Sequence, residues 1–307
     1  MEYAKDYVTT ELMASVVTRM IRNDDVVFVG VGIPLIAGIV AVGTHAPEAI
    51  LVYEGGGIGA RTRRVPWTIS DNPTTDNALA AAQMWRVFSD QQRGLITLGI
   101  IGGAEIDRFG NLNTTAIFGS GGSYKRPKIR LPGSGGANDI ASSALRTIIM
   151  MRLEKGKVVE RIQFITSPGY LTGSGARERA GLLGHGPVAV ITQKCVFGFD
   201  EHTKEMYLKQ LYPGVTVEDV KEIVDWDLKV SDTLSEVEPP TEKQIRIMRA
   251  FDPMNVVLGK KSDLKDESFD SFYAMIKKGY ESIDLSSLVE THEEEGIPQL
   301  TQEALKG

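Results

Sequence analysis

Val8, Leu12, Met13, Val16, Val17, Met20 and Ile21 recur at the spacing of a single helix face, which predicts an amphipathic helix with Thr9 or Thr10 as its N-cap. The next apolar run, Val26-Val27-Phe28-Val29, has no polar alternation and reads as a buried strand. Gly30-Val31-Gly32-Ile33-Pro34 turns the chain, and Leu35 to Val42 is apolar and of helix length. His45-Ala46-Pro47 closes that helix before a second buried run, Ile50-Leu51-Val52-Tyr53. Helix and strand alternating at this spacing imply right-handed crossovers and an α/β fold, an open, mostly parallel sheet with flanking helices.

A β-rich middle follows. Leu95 to Ile101 reads as a strand, Arg108-Phe109-Gly110-Asn111 as a turn, and Lys128 to Leu131 as a short extended piece. Thr147–Met151 and Val158–Thr166, separated by Glu154-Lys155-Gly156-Lys157, read as paired antiparallel strands, and Val188–Thr192 as a further strand. Val217–Val224 and Glu242–Phe251 begin near Thr or Pro start signals and are expected to be helical. Beyond Pro253 the chain becomes charged and carries the acidic run Glu293-Glu294-Glu295. Residues 1–258 are therefore expected to form one domain, and 259–307 a charged extension with a helix near Phe269–Tyr280 and a weakly ordered tail.

Composition narrows the function. A net charge of −6, read as free of any basic block, argues against nucleic acid and anionic membrane as partners. The apolar runs are too short to span a bilayer, and Met1-Glu2-Tyr3-Ala4-Lys5-Asp6 is unlike a signal peptide, so a cytoplasmic protein is expected. The single cysteine, Cys195, excludes an internal disulfide and a thiolate metal cage. His45, His185, His202 and His292 lack the spacing of a helical metal site, and no metal is expected. Cys195 and His185 read as residues without a chemical task, although a loop histidine between two glycines could touch a ligand. Gly173-Ser174-Gly175-Ala176-Arg177-Glu178-Arg179 reads as a surface loop that could offer an arginine to an anion.

One acid stands apart. Glu54 ends the second buried run and is followed by Gly55-Gly56-Gly57. Ligands in open α/β sheets collect just beyond the carboxyl ends of the strands, so Glu54 is a candidate nucleophile or base, with a solvated strand-terminal glutamate as the alternative. Gly30 and Gly32 partly imitate a dinucleotide fingerprint, but Leu35 occupies the place of the third glycine. Gly133-Ser134-Gly135-Gly136-Ala137 allows successive N–H groups to converge on an anionic oxygen ahead of a helix expected from about Asn138. A carboxylate and an oxyanion nest suit acyl transfer from an activated donor such as a thioester.

These motifs together resemble the β subunit of family I CoA-transferases, most closely the glutaconate CoA-transferase type. The likeness runs through Gly30-Val31-Gly32-Ile33-Pro34-Leu35-Ile36, Val52-Tyr53-Glu54-Gly55, Gly102-Gly103-Ala104-Glu105-Ile106-Asp107 with Gly110-Asn111-Leu112-Asn113, Gly133-Ser134-Gly135-Gly136-Ala137-Asn138, Thr166-Ser167-Pro168-Gly169 and Tyr212-Pro213-Gly214, from about residue 8 to about residue 253. The resemblance implies that Glu54 is the acyl-accepting glutamate, working through a glutamyl-CoA thioester. It implies that Gly135, Gly136 and Ala137 stabilise the oxyanion, and that Gly30, Gly32, Gly55 and Gly56 lie against the substrate or CoA. Coenzyme A would enter as acyl-CoA substrate, with no permanently bound cofactor. The partner would be an α subunit, in a heterodimer or α2β2 assembly, without which the chain is inactive. Gly55 stands where the glutaconate type tends to carry serine, and Gly56-Gly57 read as loosening the segment. Rival readings are a CoA-ester hydrolase, steroid ring-opening enzymes included, or a decarboxylase on the same two-subunit scaffold. A CoA- or sugar-phosphate-sensing module would be expected to carry a DNA-binding helical appendage, which the sequence does not display.

Overall fold

The computed structural model describes residues 2–62, 64–252 and 255–259. The helix expected at Phe269–Tyr280, the acidic run and all of the 259–307 extension except Gly259 lie outside the described residues. The first third contains α1 (Thr9–Met20), β1 (Val26–Val29), α2 (Ile33–Val42), β2 (Ile50–Tyr53), β3 (Gly57–Ile58), β4 (Ala80–Ala81) and α3 (Met84–Gln92). The middle contains β5 (Leu98–Gly102), β6 (Glu105–Asp107), β7 (Leu112–Asn113), β8 (Ala116–Ile117), β9 (Ile129–Arg130), α4 (Ala137–Ser143), β10 (Arg146–Met150) and β11 (Val158–Val159). Then come α5 (Ala176–Arg179), β12 (Pro187–Ile191), β13 (Cys195–Phe199), β14 (Met206–Leu211), α6 (Val217–Lys221), β15 (Lys229–Glu236) and α7 (Glu242–Phe251).

Ten strands form one open sheet in the order β15-β14-β13-β12-β10-β5-β1-β2-β3-β4. The stretch from β12 to β2 is wholly parallel, and antiparallel pairs flank it on both sides. The central strands are apolar on both faces because both faces are covered. Val27, Val29, Leu51, Tyr53, Ile100 and Ile148 meet α1, α2 and α7 on one side. Phe28, Val52, Ile101 and Ile149 alternate to the other side and pack with residues of α3, α4 and α6.

The start of α1 departs from expectation. Val8 is its N-cap, and the Glu11 carboxylate accepts the Val8 N–H at 2.8 Å. The proposed pairing of 147–151 with 158–166 is also corrected. β10 lies between β5 and β12, parallel to both. β11 is two residues long and pairs parallel to β6 in a separate three-stranded sheet. Four consecutive buried residues in β10, Thr147 to Met150, identify an interior strand, whereas a hairpin exposed on one face would alternate.

A polar knot ties the amino ends of the parallel strands. Asp25, just before β1, ion-pairs with Arg146 at the head of β10 and accepts the Thr97 hydroxyl at 2.7 Å and the Arg22 N–H at 2.7 Å. Thr97 in turn accepts the Val26 N–H at 2.9 Å. With Asp25 4% exposed, its loss leaves a largely buried guanidinium unpaired. Asp25→Ala is expected to cost about 3 kcal/mol of unfolding free energy, measured by denaturant titration, and Asp25→Ala/Arg146→Met to recover most of it. A wild-type midpoint in the single variant would contradict this role.

Candidate active site

β1 and β2 run parallel with Val29 opposite Tyr53, so the Gly30–Gly32 turn and Glu54 emerge side by side at the carboxyl edge of the sheet. Gly32 has φ +108° and is followed at once by α2, with Pro34 in its first turn. A side chain at Gly30 would point into open space, which leaves that backbone accessible to a ligand.

Glu54 occupies a tight turn closed by the Gly56 N–H on the Tyr53 carbonyl at 3.0 Å. Its root is rigid, because the buried Tyr53 hydroxyl meets Thr62 Oγ1 at 2.6 Å. The three glycines after Glu54 are packed against the chain's own backbone. A methyl group at Gly55 would lie 2.3 Å from the Ile69 carbonyl oxygen, at Gly56 1.8 Å from that of Ala82, and at Gly57 1.7 Å from that of Thr74. Gly56 additionally has φ +116°, and its carbonyl accepts the Ala82 N–H at 2.8 Å. The reading of Gly56-Gly57 as a loosened segment is therefore corrected: the segment from Ile69 to Ala82 fills the space that the missing side chains leave.

The second glycine turn closes on Glu54 from across the cleft. Gly136 is the N-cap of α4, and a methyl group there would lie 3.2 Å from Glu54 Oε1 and 2.5 Å from Phe88 Cζ. Gly133 and Gly135 have φ of +100° and +50°, backbone conformations that favour glycine. The Ala137 N–H is committed to the Ser134 carbonyl at 3.0 Å. The N–H groups of Gly135 and Gly136 meet no acceptor among the described residues. Of the expected nest, Gly135 and Gly136 thus hold the free donors.

Two features hold α4 in place. Gly99 on β5 lets Ile140 descend onto the strand, where a methyl group would meet Ile140 at 2.2 Å. At the other end, Arg177 donates to the Ala141 carbonyl at 2.8 Å and the Gly169 carbonyl at 3.1 Å, and also reaches the Leu183 carbonyl. The side chain is 1% exposed. Arg177 is accordingly a buried clamp on the carboxyl end of α4, not a surface arginine awaiting an anion. The Gly102–Asn113 motif is similarly structural in its polar members: Asp107 accepts Asn111 Nδ2 at 3.0 Å, and Glu105 accepts Asn113 Nδ2 at 2.6 Å.

Glu54 is different. Its carboxylate accepts no protein hydrogen bond and has no cation within ion-pair distance among the described residues. Partial burial without compensation raises its pKa above the ordinary glutamate value. A partly desolvated carboxylate beside a turn with unpaired N–H donors has the makings of a nucleophile with an anion-stabilising neighbour. Cys195, by contrast, is fully buried and its thiol is pushed up to about 12, which leaves it inert. His45 Nε2 sits 3.0 Å from the Ile21 carbonyl, and the His185 N–H donates to the Leu145 carbonyl at 2.6 Å; His292 lies outside the described residues. No cluster able to hold a metal ion, and no helix long and apolar enough to cross a membrane, occurs among the described residues.

Sequence reasoning missed α3 and the Ile69–Ala82 segment. The signal for α3 was Val87, Phe88 and Gln91 at helical spacing, with Val87 and Gln91 fully buried. Nothing local marked Phe88 as a wall of the cleft.

Residues 10–223 match the coenzyme A transferase family model. The chain is 38% identical over 249 residues to the β subunit of 3-oxoadipate CoA-transferase from Pseudomonas knackmussii, covering 80% of this chain and 94% of that one. It is 38% identical over 252 residues to the β subunit of glutaconate CoA-transferase from Acidaminococcus fermentans, covering 80% and 92% respectively. The crystal structure of the glutaconate coenzyme A-transferase from that organism superposes with a TM-score of 0.75 at 35% identity, over 84% of this chain and 100% of that chain.

Gly136→Ala tests the closeness of the two walls. It is expected to leave the chain folded and to lower turnover on the order of a hundredfold by displacing the loop from Glu54. Adding Phe88→Leu removes the collision with the ring and leaves only the tight contact with the carboxylate, so it should restore part of the activity. Full activity in Gly136→Ala would contradict the geometry.

Proposed function

Because the chain belongs to the coenzyme A transferase family and is the β subunit of a two-subunit CoA-transferase, we propose that Glu54 is the residue that carries CoA between donor and acceptor. The observation that carries this reading is the unpaired, partly desolvated carboxylate 3.2 Å from where a methyl group at Gly136 would stand. The names of its relatives imply a complementary α subunit, which would complete the cleft. CoA esters are the family's substrates.

A carboxylate oxygen of Glu54 attacks the thioester carbonyl. The new C–O bond forms, the C–S bond breaks, and CoA leaves as thiolate from a mixed anhydride. The thiolate then attacks Cδ of Glu54, the anhydride C–O bond to that carbon breaks, and the original acid departs as carboxylate. What remains is a glutamyl-CoA thioester. An acceptor carboxylate attacks the same Cδ and displaces the thiolate, which takes the acceptor acyl carbon and regenerates Glu54. No proton is gained or lost over the cycle, so no acid–base partner is required beside Glu54.

Each attack places negative charge on a tetrahedral oxygen. Gly135 and Gly136 can donate to that oxygen without reorganising, because their N–H groups are already free and held by α4. The Gly30–Gly32 backbone, open to approach, supplies the adjacent wall against which substrate lies. Gly55 and Gly56 support this arrangement through their carbonyl contacts with the covering segment.

The reaction demands an ionised Glu54. Since burial raises its pKa, the carboxyl is protonated and unreactive up to a higher pH than an exposed glutamate would be. In the assembled enzyme, the acid limb of the turnover–pH profile should therefore lie above the ordinary glutamate range. Glu54→Gln is expected to abolish CoA exchange between an acyl-CoA and a panel of carboxylates that includes glutaconate and 3-oxoadipate, while assembly with the partner survives. Retained exchange in that variant would overturn the proposal.

A further inference from the structure

The charge of this chain is segregated. Between Asp107 and Asp139 there is no acidic residue, whereas Lys125, Arg126, Lys128 and Arg130 place four cations within six positions of a chain whose net charge is −6. A basic block therefore exists, running from the tip of the β8–β9 hairpin into β9. All four side chains are on exposed residues, and none has a carboxylate partner within ion-pair distance among the described residues. Uncompensated cations grouped on an acidic protein cost self-repulsion, which a polyanionic ligand relieves.

The tip is a built surface. Arg130 lies over the Tyr124 ring, 4.8 Å from its centroid, and also donates to the Tyr124 carbonyl. Tyr124 stacks on Phe164 at 5.5 Å with an interplanar angle of 30°. Ser123 and Arg126 bond each other's backbone, and Gln163 Oε1 accepts the N–H groups of Phe118 and Gly119 at 2.8 and 3.3 Å. The guanidinium of Arg130 is thereby held before any ligand arrives.

The same ribbon leads to the active site. Beyond β9, Leu131 donates to the Thr115 carbonyl at 2.9 Å and Gly133 to that of Thr114 at 2.8 Å. Gly136 lies six positions beyond Arg130, a reach of at most about 20 Å. A CoA ester has a thioester at one end of an extended pantetheine arm of comparable length and a cluster of phosphates at the other.

We propose that Lys125, Arg126, Lys128 and Arg130 receive the phosphates of the CoA ester while its thioester lies between Glu54 and Gly136. This inference rests on the CoA-transfer reading of Glu54. It is tested on the assembled two-subunit enzyme by comparing an acyl-CoA with the matching acyl-pantetheine, which has no phosphates. Lys125→Glu/Lys128→Glu is expected to lower the ratio of kcat/KM for acyl-CoA to that for acyl-pantetheine about tenfold or more, the effect of losing one charge-assisted contact. The dependence of acyl-CoA KM on salt should weaken in the same variant. Arg126→Glu gives an independent second reading of the ratio should the double variant fail to fold. An unchanged ratio overturns the proposal, as does a failure of the two chains to assemble on size-exclusion chromatography, which would assign the hairpin to the interface between them. None of these results touches Glu54, whose reading fails separately if the wild-type complex exchanges no CoA.

Discussion

Everything at the carboxyl edge of this sheet depends on one close approach, that of the α4 N-cap to the end of β2. A methyl group at Gly136 would strike the Phe88 ring and press on the Glu54 carboxylate. The contact brings a partly desolvated carboxylate close to a turn whose Gly135 and Gly136 N–H groups have no protein acceptor among the described residues. Neither group has a protein partner among the described residues, and both lie where solvent or a ligand can reach them. On the proposed reading, the ligand that engages both is a carbonyl carbon for the acid and its developing oxyanion for the amides.

Precision of that kind requires rigid supports. β2 is buried on both faces, with Tyr53 anchored through Thr62. The glycine triplet lets the 69–82 segment press onto the turn from outside, so backbone packing, and no side-chain bond, fixes the position of Glu54. On the opposite wall, Gly99 admits Ile140 onto β5, and Arg177 grips the far end of α4 through carbonyl oxygens. A serine at position 55 would drive Cβ into the Ile69 carbonyl, so the departure at Gly55 belongs with the way this segment lies over the turn.

Much of this was legible along the chain. Val26–Val29 and Ile50–Tyr53 form strands at the positions their uninterrupted apolar runs predicted, and the parallel order follows from the helices between them. Glu54 and the Gly133–Ala137 turn stood out as candidates because each sits where a strand or a helix starts or stops, and the fold places them beside one another. What stayed hidden was long-range. The pattern of β10 does not name its neighbours, and β11 was misassigned because two valines in a turn-rich stretch resemble the start of a longer strand. Arg177 looked exposed because glycines and charges surround it, yet six backbone carbonyls enclose it, four from its own neighbourhood and two, those of Ala141 and Ser142, from the end of α4. Three adjacent glycines read as room for a ligand and as a loosened segment, whereas the fold fills that space with the chain's own backbone.

The central claim is covalent, and mass spectrometry tests it most directly. When the assembled enzyme is given an acyl-CoA but no acceptor acid, the peptide containing Glu54 should gain the mass of CoA less one water, and borohydride should reduce the thioester at that residue alone. An unmodified Glu54 under conditions in which the complex turns over would contradict the account.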